Sequence, residues 1–224
     1  AMSNESAPGR WLVLADGVYA RRYAELDQTL GLVVGRDRAL VVDTGRDEEH
    51  GAEFASAVAG LTALPLTVVV THAHFDHCLG TAAFPGAEVW AHERCRVDER
   101  VFVERAEYYP GAPPVRLVQP THRVREAAEL DLGGQTVRLV HPGRAHTDHD
   151  LAVHVPDARV LFTGDLVEQG ADPSIGPDSF PQLWPHALDE LLRLDAATFV
   201  PGHGDPVDRA FVERQRDLLS AGST

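Results

Sequence analysis

No lysine occurs in the 224 residues; all 20 basic side chains are arginine. That excludes a phosphate-cradling P-loop lysine, a Schiff-base lysine and a Ser–Lys dyad. Cysteine is scarce. Cys78 and Cys95 cannot build a disulfide framework, and one optional bridge says little about compartment. No apolar run approaches the length of a membrane span, about 18 residues. Residues 1–9 lack the basic-then-apolar order of a signal peptide, so a cytoplasmic location is expected. Positive charge is in deficit: 20 basic against 34 acidic residues give −14, which argues against nucleic acid or an anionic membrane surface as partner. A small-molecule substrate is the expected partner. Hydrophobic residues, at 44%, suffice for a sizeable core. What the chain has in excess is histidine, with 12.

The chain reads as strands first, then strand and helix, twice over. Trp11–Leu14 and Val18–Tyr23 flank the turn signal Asp16-Gly17, and Leu30–Val34 and Ala39–Val42 flank Gly35-Arg36-Asp37. The run 39–42 is apolar throughout, as a strand buried on both faces should be. Residues 47–60 show helical spacing, Leu66–Val70 another buried strand, 87–91 a short strand and 92–107 a charged helix. Beyond Pro113 and Pro114, strands are expected at Val115–Val118, Glu129–Leu132, Thr136–Val140, Leu151–Val155 and Arg159–Phe162. A long loop covers 166–181. Leu183–Leu194 reads as a helix, Thr198–Val200 as a strand and Val207–Leu219 as a last helix. The pattern suggests two sheets face to face with helices outside, in one domain over 1–224 with halves of about 10–112 and 113–224.

The strongest feature is Thr71-His72-Ala73-His74-Phe75-Asp76-His77, directly after Val68-Val69-Val70. Imidazoles are seldom buried without partners, and a buried carboxylate needs a cation. A tight turn at a strand end lets His72 and His74 point to one place and Asp76 and His77 to an adjacent one. Nitrogen and oxygen donors without thiolate favour zinc, with iron or manganese as alternatives. His146, in Gly143-Arg144-Ala145-His146-Thr147, and Asp165, in Thr163-Gly164-Asp165, join the set with His203 in Pro201-Gly202-His203-Gly204. Together they make seven ligands, a natural number for two metals and a shared water.

HxHxDH, then His in AHT, Asp in TGD and His in PGHG resembles the metallo-β-lactamase-fold hydrolase superfamily over roughly residues 11–220. The resemblance implies an α+β class, αββα sandwich: two packed mixed β-sheets with helices on the outer faces and the site at one edge. It implies that His72, His74 and His146 hold one zinc, that Asp76, His77 and His203 hold a second, and that Asp165 bridges both. A hydroxide between the metals would be the nucleophile, with Asp76 orienting it and accepting a proton. Asp43, in VVDTG, matches the family's first motif and is expected to order the metal-binding loop.

Asp rather than Cys at 165 looks like the glyoxalase II, lactonase and general hydrolase branches. Glyoxalase II would carry an added helical C-terminal domain with basic residues for glutathione; about twenty residues follow Pro201-Gly202-His203-Gly204 here and none is lysine, so a glutathione thioester is not the expected substrate. The expected activity is hydrolysis of an ester, lactone, thioester or amide. The alternatives are a one-iron thiol or persulfide oxygenase, a non-catalytic metal-binding module, and a weak promiscuous β-lactamase. His149 either supports the metal loop, reaches the pocket or merely begins a strand. Loops 108–123 and 166–185 are expected to wall the pocket, with Tyr109 and Trp184 as candidate substrate contacts and Tyr108, Arg116, His122, Glu168 and Phe180 beside them. Arg144 is the candidate for an anionic substrate group. Cys78 and Cys95 read as structural.

Overall fold

Both turn signals near the N-terminus close hairpins, and they launch a seven-stranded sheet. A computed structural model describes residues 9–222. The first eight residues, on which most of the signal-peptide reading rests, lie outside that range. Strands β1 (Arg10–Ala15), β2 (Val18–Arg22), β3 (Thr29–Val34) and β4 (Ala39–Val42) pair antiparallel in order. Then β5 (Leu66–Val69), β6 (Glu88–His92) and β7 (His122–Val124) continue the sheet in parallel, since a helical or long connection separates each from the last. The second sheet has β8 (Ala127–Asp131), β9 (Thr136–Val140), β10 (Ala152–Val155) and β11 (Val160–Glu168) antiparallel, and β12 (Thr198–His203) parallel to β11. Both sheets are thus mixed.

Side-chain alternation sorts the apolar residues into three layers. On β4, Leu40 and Val42 face the second sheet, where they meet Leu139, Val153 and Phe162. Ala39 and Val41 face outward against Phe54 and Val58 of α1 (Glu48–Ala59). On the far side, Leu161 of β11 and Phe199 of β12 pack against Trp184, Leu188 and Leu191 of α4 (Trp184–Leu192) and Val212 of α5 (Arg209–Ala221). Two further helices, α2 (Phe75–Cys78) and α3 (Arg100–Tyr108), complete the layer over the first sheet. The order helix, sheet, sheet, helix is the one the sequence pattern suggested. Cys78 and Cys95 are buried free thiols within it.

Several boundaries differ from expectation. The change of sheet falls between Val124 and Ala127, because β7 adds to the first sheet. Residues 115–118 form no strand: Pro113, Pro114 and Pro120 each remove a ladder donor around them. The helix expected over 92–107 begins only at Arg100, where the Asp98 side chain accepts the Arg100 amide proton at 3.0 Å. β11 runs on to Glu168, so the loop after it starts at 169. Among the described residues no helix is long and apolar enough to cross a membrane.

Candidate metal centre

Four strand ends converge at one edge of the two sheets. β5 runs into Thr71-His72, β4 into Asp43, β11 carries Asp165 near its end, and β12 ends on His203. The C-terminal ends of parallel strands are where loops can meet over a site. α2 carries Asp76 and His77, and His146 comes from the irregular connection between β9 and β10. The approach is too close for side chains at two points. A Cβ on Gly202 would lie 2.1 Å from Asp165 Oδ1, and one on Gly164, at φ +54°, would meet Thr71 Oγ1 at 2.8 Å.

The side chains form two groups that share Asp165: His72, His74, His146 and Asp165, and Asp76, His77, Asp165 and His203. Within each group the donor atoms all lie within 4.8 Å of one another. Asp165 Oδ2 is 3.5 Å from His72 Nε2, 3.6 Å from His146 Nε2 and 3.4 Å from His203 Nε2. Asp165 Oδ1 is 3.1 Å from His77 Nε2, and Asp76 Oδ2 is 2.9 Å from His203 Nε2.

Each imidazole is turned by a contact on its far nitrogen. His77 Nδ1 donates to Asp43 Oδ2 at 2.8 Å. His72 Nδ1 donates to Thr71 Oγ1 at 2.9 Å, and that hydroxyl donates to Asp43 Oδ2 at 2.8 Å. His203 Nδ1 donates to the Leu26 carbonyl at 2.8 Å, and His146 Nδ1 to the Ser174 carbonyl at 3.0 Å. His74 is reversed. Its Nε2 donates to Asp178 Oδ2 at 2.7 Å, and its Nδ1 faces His146 Nε2 at 3.2 Å. These contacts leave the other nitrogen of each ring pointing inward.

Three of the inward atoms, His72 Nε2, His77 Nε2 and Asp165 Oδ1, are buried and make no hydrogen bond. Each such orphan costs about 1–3 kcal/mol unless something satisfies it. The electrostatics agree. Burial, then the His77 charge, holds His72 well below the ordinary imidazole value, and burial pushes His146 down to about 4. At His77 and His203 burial is overcome by neighbouring carboxylates, Asp165 foremost, and both are held well above it. Against their own burial, the His77 charge helps to hold Asp76 and Asp165 well below the carboxylate range. At His74 burial is overcome by the Asp178 bond, which raises it to about 9. Two buried carboxylates held in the ionised form amid inward-facing imidazole nitrogens are a donor set that fits divalent cations, which would take the place of the protons on His77 and His203.

Asp43 adopts φ +63°, a conformation non-glycine residues seldom take, and its carboxylate also accepts the Thr71 amide proton at 2.7 Å. It thus fixes the turn and two rings at once. His149 supports the same turn: its Nε2 accepts the Ala73 amide proton at 2.9 Å while Nδ1 donates to Asp148 at 2.8 Å.

The expected substrate contacts fare less well. Trp184 is fully buried, donates its indole proton to the Leu166 carbonyl at 3.0 Å, and packs its ring 5.4 Å from that of His146. It is core behind His146, a candidate metal ligand, and offers no face to a substrate. The Tyr109 hydroxyl is engaged by Glu25 Oε1 at 2.5 Å. Arg144 is exposed, with its guanidinium 5.5 Å from the centre of the Phe180 ring.

The sequence reading missed Glu104, Asp150, Asp178 and Gln28. Glu104 Oε1 lies 3.8 Å from His74 Nδ1, and burial raises its carboxyl to about 7. Burial, and then the Asp165 charge, raises Glu168 to about 7 as well. Asp150 is buried, accepts the Thr147 amide proton at 2.8 Å, and is pushed up to about 7 by burial. Gln28 donates to the Asp76 carbonyl. Only Asp150 had a local signal, its place in the AHT-x-x-D segment.

Comparison with known proteins agrees with this geometry. The metallo-β-lactamase type 2 of Bacillus cereus is 26% identical over 195 residues, covering 84% of this chain and 72% of that protein. An acyl-coenzyme A thioesterase of Bos taurus is 28% identical over 186 residues, covering 70% of this chain and 66% of that protein. The crystal structure of a metallo-β-lactamase from Erythrobacter litoralis, with β-mercaptoethanol in its active site, superposes with a TM-score of 0.75 at 24% identity, covering 96% and 97% of the two chains. The family model described as the metallo-beta-lactamase superfamily matches residues 24–203, a span that holds every residue of both donor groups, and the chain belongs to that superfamily.

Proposed function

We propose that the protein is a metal-dependent hydrolase that cleaves an ester, lactone, thioester or amide bond of a small molecule, with zinc in both donor groups. The observation that carries this reading is the Asp165 shared between two complete groups, in which His72 Nε2, His77 Nε2 and Asp165 Oδ1 are buried and make no hydrogen bond. A β-lactamase and a thioesterase among the relatives support acyl hydrolysis as the reaction class. Two full groups favour it over a one-iron oxygenase, which needs a single metal with open positions.

Zinc there would supply Lewis acidity toward a carbonyl oxygen and a water whose pKa falls to about 7. The chain's own residues do the rest. Asp43, Thr71, Leu26 and Ser174 hold four rings in one tautomer each, so no donor need reorient during turnover. Asp76, ionised and beside His203, is placed to orient the attacking water and to take its proton on the carboxylate.

The first test is metal content per chain by mass spectrometry, on protein purified without chelator or added metal. About two zinc ions per chain is expected for such a site, with turnover of at least one member of an ester, lactone, thioester and β-lactam panel. Asp165→Ala and Asp76→Ala are expected to lose both metal and activity. About one iron per chain with little zinc would turn the reading to the oxygenase and to thiol-dependent oxygen uptake. No metal after incubation with zinc would overturn it.

A further inference from the structure

α2 is a single turn, and its brevity leaves a carbonyl free beside the second donor group. The Gly80 amide would bond the Asp76 carbonyl if the helix ran on, but it donates to the Gly45 carbonyl at 3.0 Å instead. The Asp76 carbonyl accepts from the side-chain amide of Gln28. Gln28 is fully buried, its backbone bridges to that of His203, and its Oε1 makes no hydrogen bond. One residue thus joins the chain at Asp76 to the chain at His203, whose side chains meet at 2.9 Å. A buried carboxamide with one end unsatisfied costs stability, so packing alone does not account for it. The turn before Gln28 is bent to the same end. Leu26 at φ +57° and Asp27 at φ +50° are consecutive non-glycine residues in the left-handed region, which persists only where surrounding contacts fix it. The bend aims the Leu26 carbonyl at His203 Nδ1 and the Asp27 carbonyl at the Gly204 amide, each at 2.8 Å. Thr29 Oγ1 donates to the Gly204 carbonyl at 2.7 Å, and the Arg22 guanidinium closes the turn on the Asp27 carbonyl at 2.8 Å. Among the described residues, no hydrogen bond from 25–29 reaches His72, His74, His146 or Asp165. Asp43, by contrast, holds a ring in each group, His72 through Thr71 and His77 directly.

We propose that Gln28 and the left-handed turn Leu26-Asp27 are positioning residues for one ion only: they set the hold of the Asp76–His77–His203 group, while the His72–His74–His146 group is set without them. This rests on the hydrolase reading for two ions per chain and not for the reaction those ions serve. Asp76 and His203 come from different sheets' halves of the chain, and an ion between them needs both donors in place at once. Metal–ligand distances tolerate an error of about 0.2 Å. A small drift of either backbone, too small to disturb the fold, therefore weakens an ion bound there. Loss of a contact that orients a ligand lowers metal affinity by about 10–100-fold.

Zinc titration of the chelator-treated protein, followed by calorimetry, tests this on two variants. Gln28→Met keeps the length of the side chain and loses the donor; Gln28→Asn keeps the carboxamide and falls short of the Asp76 carbonyl. The parent is expected to bind two ions. Each variant should bind one of them as the parent does and the other at least tenfold more weakly. Ligand variants assign the two steps. In a His146→Ala background the Gln28 substitution should still weaken the ion that remains, and in a His203→Ala background it should change nothing. Asp43→Asn should weaken both ions, and Asp208→Ala, which removes only the cap of α5, neither. The metal-free melting curve of Gln28→Met should stay close to that of the parent. Equal weakening of both ions, or weakening of neither, would overturn the proposal, as would Gln28 variants that do not fold. Two ions bound with no turnover of any ester, lactone, thioester or β-lactam would instead sink the hydrolase reading and leave the role of Gln28 standing. A parent that takes up no second zinc would end both.

Discussion

Asp43 touches no inward-facing atom of either donor group, yet one of its oxygens receives both His77 Nδ1 and the Thr71 hydroxyl that in turn receives His72. Its replacement by Asn keeps the volume but removes the charge and one acceptor. Loss of such a support lowers metal affinity by about 10–100-fold; Asp43→Asn should do so in competition with a chromophoric chelator, with no change in fold. Asp150 gives a second expectation, in pH. Its folded-state pKa, raised to about 7 by burial, exceeds that of the unfolded chain. Its stabilising contribution is therefore fully present below the unfolded value near 3.8 and is lost as pH rises through about 7. Asp150→Asn cannot titrate, so its stability relative to the parent should improve from pH 4 to 7 and level off above. Urea titrations of chelator-treated protein would read this, and a flat difference would refute it. At this scale the HxHxDH stretch was readable because its residues are neighbours in sequence. Asp178 was not, since 104 positions separate it from His74 and nothing local marks a loop aspartate as a partner. Trp184 was misread because an aromatic residue following a loop looks the same in sequence whether it lines a cleft or backs one.

Helices and strands position the site through caps and packing rather than through propensity. The Asp208 side chain accepts the Phe211 amide proton at 2.9 Å and starts α5. Asp208→Ala should cost about 1 kcal/mol by denaturant titration, because one of the helix's free amides then lacks a partner. Phe54, fully buried between α1 and the first sheet, is a larger matter: Phe54→Ala leaves a cavity and should cost about 3–5 kcal/mol. Strands flanked by turn signals and built from β-branched runs were readable from pattern alone. β7 was not. Its three residues, His122-Arg123-Val124, carry no apolar run, and they become a strand only because β6 offers a free edge. The charged helix was placed too early because residues 93–99 turn instead of coiling, with the Asp98 side chain accepting the Arg100 amide proton just before the first helical turn.

Across the whole molecule the donor set ties the halves together. His72, His74, Asp76 and His77 come from the half built around the first sheet, and His146, Asp165 and His203 from the half built around the second. Cations bound only by the folded chain stabilise it by mass action, about 2.7 kcal/mol at a hundredfold excess over Kd. Chelation should therefore lower the melting temperature by about 5–10 °C for a chain of this length, and stoichiometric zinc should restore it; an unchanged melting curve would mean that the groups hold nothing. The layered architecture was readable because doubled apolar faces on strands such as Ala39–Val42 demand cover on both sides.

The rings fall into two sets by what keeps them in shape, with His72 held through Thr71 by the same Asp43 that holds His77. His77 and His203 are turned by Asp43 and by the Leu26 carbonyl, both contributed by the N-terminal strands and their connections. His74 and His146 are turned by Asp178 and by the Ser174 carbonyl, both on the irregular segment 169–183 that also borders the cleft. An insertion or exchange there would shift the partners of both rings, and with them the hold on any ion that His74 and His146 share. A change in the shape of this one stretch of chain is therefore also a change in how His74 and His146 are held.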